Sequence, residues 1–246
     1  MSDERETERI GSAIAAAAGH LGLDLLSYAH MDDDHRGRFH ESIRDIAATL
    51  PRAVSLGIRL SGPVLDTVAT APTWTYYHHY RQVNTALDQA ALLISGAIQR
   101  GGYRALPVPA SQILDWELLR AHLSHREIAW LAGLGWRGRN NLLVTPEYGS
   151  MIRLATVLTD APLPRPVRSR LETECGDCAA CIGACPVGAI DASPERFDLD
   201  RCAAQLRRFS REERLNTMIC GLCVKVCAGT EGRRRETAGA QREGRR

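Results

Sequence analysis

Eight cysteines fall between positions 175 and 227, and they are all the cysteines of the chain. The first four read Cys175-Gly-Asp-Cys178-Ala-Ala-Cys181-Ile-Gly-Ala-Cys185-Pro186. Three thiolates two residues apart can wrap one face of a cube of four irons and four sulfides. A fourth, three residues further on, points away and ligates a second cube where one is present. Pro186 ends the loop and has no amide N–H to offer. The second set is Cys202, Cys220, Cys223 and Cys227. Its last three keep the C-x2-C-x3-C spacing, while 17 residues separate Cys202 from Cys220. Eight thiolates match two [4Fe–4S] clusters with none left over. The crossing rule assigns Cys175, Cys178, Cys181 and Cys227 to the first, and Cys202, Cys220, Cys223 and Cys185 to the second.

Three other uses of these thiols compete. Two four-cysteine zinc sites are chemically reasonable, since thiolate suits zinc. Zinc ribbons, however, pair two distant C-x2-C elements and have no need of a C-x2-C-x2-C-x3-C-P run. A disulfide framework needs an oxidising compartment, which nothing in the sequence suggests. Unrelated buried cysteines would not cluster in this way.

The elements that must position these thiols can be read from the pattern. Ile10, Ala13, Ile14, Ala17 and Leu21 fall on one face of a helix over 4–22, stopped by Gly22. Leu25 to Tyr28 reads as a short strand, and the acidic 32–37 stretch as a solvated polar loop. That loop half-matches a D-x-H-x-x-G cobalt-ligating motif through Asp33 and His35, but the required glycine position holds Arg38. Phe39, Ile43, Ile46 and Leu50 mark a second helix before Pro51. Val54, Leu56, Ile58 and Leu60 alternate with polar residues as a half-buried strand.

The aromatic stretch Trp74, Tyr76, Tyr77, Tyr80 reads as the entry of a long helix running to Arg100 and stopped by Gly101-Gly102. His78 and His79 within it are more easily satisfied polar groups than ligands. Tyr103 to Val108 is a further strand. Ser124-His-Arg-Glu127 is a capping box opening a helix through Leu131. Leu142 to Thr145 and Arg153 to Thr159 read as paired strands around Pro146-Glu-Tyr-Gly149. Proline-rich 160–166 is a linker.

Composition sets the outer limits. The chain has 246 residues, 44% of them hydrophobic, with a net charge of +2, enough for a real core and without a global signal for nucleic acid. Lys225 is its sole lysine. No apolar run approaches a membrane span and the N-terminus does not read as a signal peptide. The expected setting is therefore cytoplasmic, without a membrane, and suited to reduced thiolates. The expected organisation is an α/β (α+β) domain over 1–165, a ferredoxin-like double-cluster domain over 166–228, and a disordered basic tail over 229–246.

Several stretches together resemble one superfamily. Gly133-Leu-Gly-Trp136, Asn141-Leu-Leu-Val-Thr-Pro-Glu-Tyr-Gly149, Leu158-Thr-Asp-Ala-Pro-Leu163 and the two cysteine sets are similar to the epoxyqueuosine reductases. The 153–160 stretch is nearly as similar to the corrinoid reductive dehalogenases. The resemblance implies two [4Fe–4S] clusters, a cobalamin contacted by backbone around Leu143 and Thr145, and a 1–165 domain that holds it. It implies an oxidoreductase that reduces a modified base in tRNA, or a small-molecule substrate, with electrons from a ferredoxin- or flavodoxin-type donor. Three departures stand out. The proton-donating aspartate of the family falls at Leu119, with Asp115, Glu117, His122 and His125 nearby. Ala228 replaces the proline that normally follows the last cysteine. The helical-repeat domain that helps bind tRNA does not follow, so a short form is expected. On a helix His122 would share a face with Leu119, which makes it the candidate replacement acid. The alternatives are a two-cluster ferredoxin-type electron carrier and a corrinoid-binding protein without turnover.

Overall fold

The computed structural model describes residues 2–166, 168–169, 171–172 and 175–232. In chain order its elements are α1 (Ser2–Ala18), β1 (Leu25–His30), α2 (Asp33–Gly37), α3 (Glu41–Ala48), β2 (Arg52–Arg59), α4 (Gly62–Asp66), α5 (Trp74–Arg100) and β3 (Ala105–Val108). There follow α6 (His125–Leu131), β4 (Trp136–Arg137), β5 (Leu143–Val144), β6 (Ile152–Thr159), α7 (Ala180–Ala184), a 3₁₀ turn (Pro194–Arg196), α8 (Leu199–Glu212) and α9 (Leu222–Lys225).

The chain forms two compact units, and neither is contiguous. The first comprises 1–58, 83–134 and 153–171; the second comprises 59–82, 135–152 and 172–246. The sequence expectation placed a cut near 165. Instead the cysteine segment shares its unit with two earlier stretches, and 153–171 stays with the first unit.

The first unit is built on a four-stranded sheet of order β1-β2-β6-β3, with β1 antiparallel to β2 and β3 antiparallel to β6. β2 and β6 are central, and both of their faces are covered. Ala53, Val54, Ser55 and Leu56 are all fully buried, as are Ala155 to Thr159. This corrects the half-buried reading of β2: its alternating Ser55 and Gly57 are small enough to pack inside. β6 is also the partner of β3, so the expected pairing of 142–145 with 153–159 does not form; β5 pairs with β4 instead. The helical layer includes Ile10 and Ile14 of α1 and Leu87, Ile94 and Ile98 of α5, all fully buried. A Cβ on Gly101 would sit 2.6 Å from Ile10 Cδ1, so this glycine lets α1 approach the end of α5.

Three local readings change. The polar 32–37 loop is one helical turn, because Asp32 Oδ1 accepts the His35 amide at 2.9 Å and caps it. Ser124 does cap α6, accepting the Glu127 amide at 3.2 Å, but the Glu127 carboxylate meets Arg38. The tail assigned to 229–246 is ordered at its start: residues 229–232 are helical and the Glu231 amide donates to Pro146 O at 2.9 Å. Positions 233–246 lie outside the described residues. Among the described residues no helix is long and apolar enough to cross a membrane.

Candidate iron–sulfur centre

The second unit places the eight thiols. Cys175 and Cys178 flank a tight turn in which the Cys178 amide donates to Cys175 O at 3.0 Å and Gly176 takes φ +51°. Cys181 rides on α7, and Cys185 ends that helix with its amide bonded to Ile182 O. Cys202 lies in the first turn of α8, whose N-terminus Asp198 caps through the Arg201 amide at 2.9 Å. Cys220 precedes Gly221, which takes φ +89°. α9 then carries Cys223, and the Cys227 amide closes the segment on Val224 O at 3.1 Å. The two cysteine-bearing helices, α7 and α9, pack against each other.

The buried thiols have other cysteines as their neighbours. Cys181 is crowded by Cys227, Cys175 and Cys178; burial first, then those neighbours, push its pKa up to about 11. Cys202 is likewise pushed up to about 11 by burial, then Cys220 and Cys185. Burial, then Cys220, Cys202, Cys181 and Cys185, raises Cys223. Such thiols stay protonated at neutral pH unless a metal takes the proton's place. Among the described residues no three Cys, His, Asp or Glu side chains converge on a single-ion site. An iron–sulfur cube makes no such demand, because each thiolate binds its own iron at a separate corner.

Residues far upstream build the walls of this unit. Arg139 is a clamp: its guanidinium donates to Gly176 O and Ala192 O at 2.7 Å each, and to Cys178 O. Trp136, fully buried, points its indole Nε1–H at Cys175 Sγ, 3.4 Å away. Gly135 beside it tolerates no side chain, since a Cβ would lie 2.2 Å from Val144 O. The Thr145–Gly149 turn is closed by two backbone bonds, 2.8 and 3.0 Å. Tyr76, at the start of α5, lays its ring on Gly221, where a Cβ would be 2.8 Å from Cε1. Lys225 donates to Asp66 O and Val68 O at 3.2 and 3.0 Å, tying α9 to the end of α4. The sequence marked Tyr76 as helix-entry core and did not connect it with the cysteines. A glycine immediately after a ligand, Cys220-Gly221, was the available signal.

The other candidate residues are less concentrated. Leu143 and Thr145 are both buried, and the Thr145 amide and carbonyl are already bonded to Gly149. A ligand at Thr145 would therefore meet a carbonyl's second lone pair and no free N–H. In the first unit the helix assumed around Leu119 is not there. Residues 115–120 form a tight turn in which Asp115 Oδ1 accepts the Glu117 and Leu118 amides at 2.9 Å each, and Leu119 sits at φ +52°. The shared-face argument for His122 fails with it. Burial, then His40, lowers the His122 pKa, which weakens it as a proton donor near neutrality. Nδ1 of His122 is buried without a hydrogen-bond partner among the described residues. His79 Nε2 accepts the Ser61 amide at 3.0 Å, a satisfied polar group as expected.

Comparison with known proteins points to the same segment. Residues 174–229 match the family of the 4Fe-4S double cluster binding domain. Epoxyqueuosine reductase of Aliivibrio fischeri is 32% identical over 181 residues, covering 72% of this chain and 43% of that protein. Its counterpart from Burkholderia pseudomallei is 40% identical over 117 residues, 41% of this chain and 28% of that one. The chain spans about 30% of the length of several further epoxyqueuosine reductases it matches. Among solved structures, a catabolic reductive dehalogenase, NpRdhA, superposes with TM-score 0.67 at 19% identity, over 94% of this chain and 37% of that one. A selenomethionine-labelled epoxyqueuosine reductase gives 0.61 at 21%, over 92% and 67%. A reductive dehalogenase described with a B12-dependent mechanism gives 0.68 at 20%, over 92% and 33%.

Fold and site thus define a double-cluster iron–sulfur protein with the architecture shared by these reductases. Within that class the chain is epoxyqueuosine reductase-like in sequence.

Proposed function

We propose that this protein is an iron–sulfur oxidoreductase of the epoxyqueuosine reductase kind, holding two [4Fe–4S] clusters and delivering electrons to a corrinoid and a reducible substrate. The observation that carries the reading is that all eight cysteines fall within the segment that matches a double-cluster domain, the buried thiols among them neighbouring one another. The proposed sets are Cys175, Cys178, Cys181 and Cys227, and Cys185, Cys202, Cys220 and Cys223. Bound clusters supply one-electron transfer at low potential. The chain's own part is to hold the thiols, through the Arg139 clamp and the α7–α9 packing, and to keep the site dry with Trp136 and Tyr76. Cobalamin, with Leu143 and Thr145 beside it, stays within the proposal, as do a tRNA substrate, a ferredoxin- or flavodoxin-type donor and a cytoplasmic setting.

Reducing an epoxide to an alkene consumes two electrons and two protons and releases water, so the site also needs a positioned acid. Here Leu119 favours a second reading, a two-cluster electron carrier: Asp115 spends its carboxylate on its own turn and His122 is disfavoured as an acid. Anaerobic purification with cobalamin supplied, followed by gel filtration, separates the two. The reductase reading expects about eight irons and eight sulfides per chain, co-eluting corrinoid absorption, and turnover of epoxyqueuosine tRNA with a chemical reductant. Clusters without corrinoid or turnover leave the carrier. Stoichiometric zinc with little iron overturns both.

A further inference from the structure

We propose that the Trp136 indole N–H is a redox-tuning donor that raises the reduction potential of the cluster held by Cys175. The inference rests on the reading that the eight thiols hold two cubes, and goes beyond it by giving a role to a residue that is not a ligand.

The geometry is specific. Trp136 is 0% exposed and its Nε1 lies 3.4 Å from Cys175 Sγ. An indole nitrogen only donates, so the bond has one polarity whatever the state of the sulfur. Its strength grows with negative charge on the acceptor. Each electron that enters a cube spreads charge onto its sulfurs. The reduced state is therefore held more tightly than the oxidised one, and hydrogen bonds to the sulfurs are among the levers that set cluster potentials. Exclusion of water keeps the bond from being exchanged for solvent.

Two devices hold the donor on target. β4 carries Trp136 and pairs it with Val144 of β5, at a distance that Gly135 alone permits. From the other side Arg139, three residues on, grips Gly176 O and Cys178 O and so fixes the turn that bears Cys175. Donor and acceptor are thus tied to one rigid piece. In the other set, Cys185 Sγ receives the Ala189 backbone amide at 3.3 Å, a bond that no side-chain replacement at 136 removes.

The test is a redox titration followed by electron paramagnetic resonance, on wild type and Trp136→Phe, both loaded with clusters. Phenylalanine keeps a buried ring and deletes the N–H. The expected result is full iron in both proteins and a fall in the midpoint of one cluster. At a fixed poise its reduced-to-oxidised ratio should drop about threefold, or about 28 mV for a one-electron couple. The shifted signal should be the one abolished by Cys178→Ala, and the other should stay put. Unchanged midpoints with full iron overturn the inference while leaving the two-cluster reading intact. If Trp136→Phe does not assemble, wild type with nitrogen-15 in its indoles decides. A hyperfine coupling from indole nitrogen to that reduced cluster supports the inference; its absence overturns it. A wild-type protein without iron overturns the two-cluster reading itself and this inference with it.

Discussion

A Cβ placed on Gly149 would lie 1.7 Å from the carbonyl oxygen of Cys227. The Thr145–Gly149 turn and the last cysteine are in backbone-to-backbone contact, and Gly229 repeats the relationship, its Cβ falling 2.4 Å from Thr145 O. Gly149 also takes φ +58°, which a side chain would resist by about 1–2 kcal/mol even in open space. Gly149→Ala is therefore expected to displace Cys227, and iron should fall from about eight per chain to about four. Gly176→Ala is the control. It has φ +51° but nothing within 4 Å of its Cβ, so it should lose stability without losing iron.

The proposed crossing of ligands between the two sets makes a sharper test. Cys185→Ala should remove the paramagnetic signal that Cys220→Ala also removes, and Cys227→Ala the one lost in Cys178→Ala. A Cys185→Ala protein missing the Cys178-dependent signal instead would break the proposed assignment.

Arg139 serves three carbonyls with one guanidinium. Arg139→Gln removes the charge and cannot span them, at a cost of about 2 kcal/mol. The turn bearing Cys175 and Cys178 should loosen. Iron release to a chelator should become biphasic, with one cluster leaving faster than in wild type and the other at the wild-type rate.

His125 supplies a pH dependence in the first unit. Its Nε2–H donates to Pro109 O, and in the neutral ring Nδ1 accepts from the Thr156 hydroxyl, both at 2.8 Å. Burial, partly opposed by the Pro109 bond, depresses its pKa from 6.5 to about 4. A depressed folded-state value means stability is fully present above about pH 6.5 and is lost as pH falls towards 4. The loss should approach about 3 kcal/mol. Urea unfolding of the loaded protein at pH 7 and pH 4.5 should show this drop, and His125→Gln should flatten it.

Leu119 occupies a left-handed conformation, φ +52°, that suits aspartate or asparagine better than leucine. Leu119→Asp should therefore fold as well as wild type or gain up to about 1 kcal/mol. If the missing acid limits turnover, the same variant should gain epoxyqueuosine reduction. Equal, absent activity in both proteins would support the carrier reading. His122→Ala should leave any wild-type activity largely unchanged, since the helix that would have aligned it with position 119 does not form.

What the sequence by itself determined was local. Cysteine spacing encodes which thiols can share a face, because two intervening residues set a turn and three set the next one. Helical periodicity placed α1, α3, α5 and α6, and Gly101-Gly102 and Pro51 marked their ends, since these choices depend on neighbours a few residues away. The partners of strands were another matter. β5 joins β4 and β6 joins β2 and β3 because sheet pairing is decided by burial across the whole unit, and an alternating pattern does not name its neighbour. The turn at Leu119 escaped notice because a leucine with positive φ carries no local signature. Only the tertiary structure gathered 59–82 and 135–152 around the cysteines, setting Tyr76 against Gly221, Arg139 on Gly176 and Trp136 on Cys175. These contacts span tens to more than a hundred residues of chain, and what selects them is close packing of backbone on backbone, which leaves only scattered glycines in the sequence as its trace.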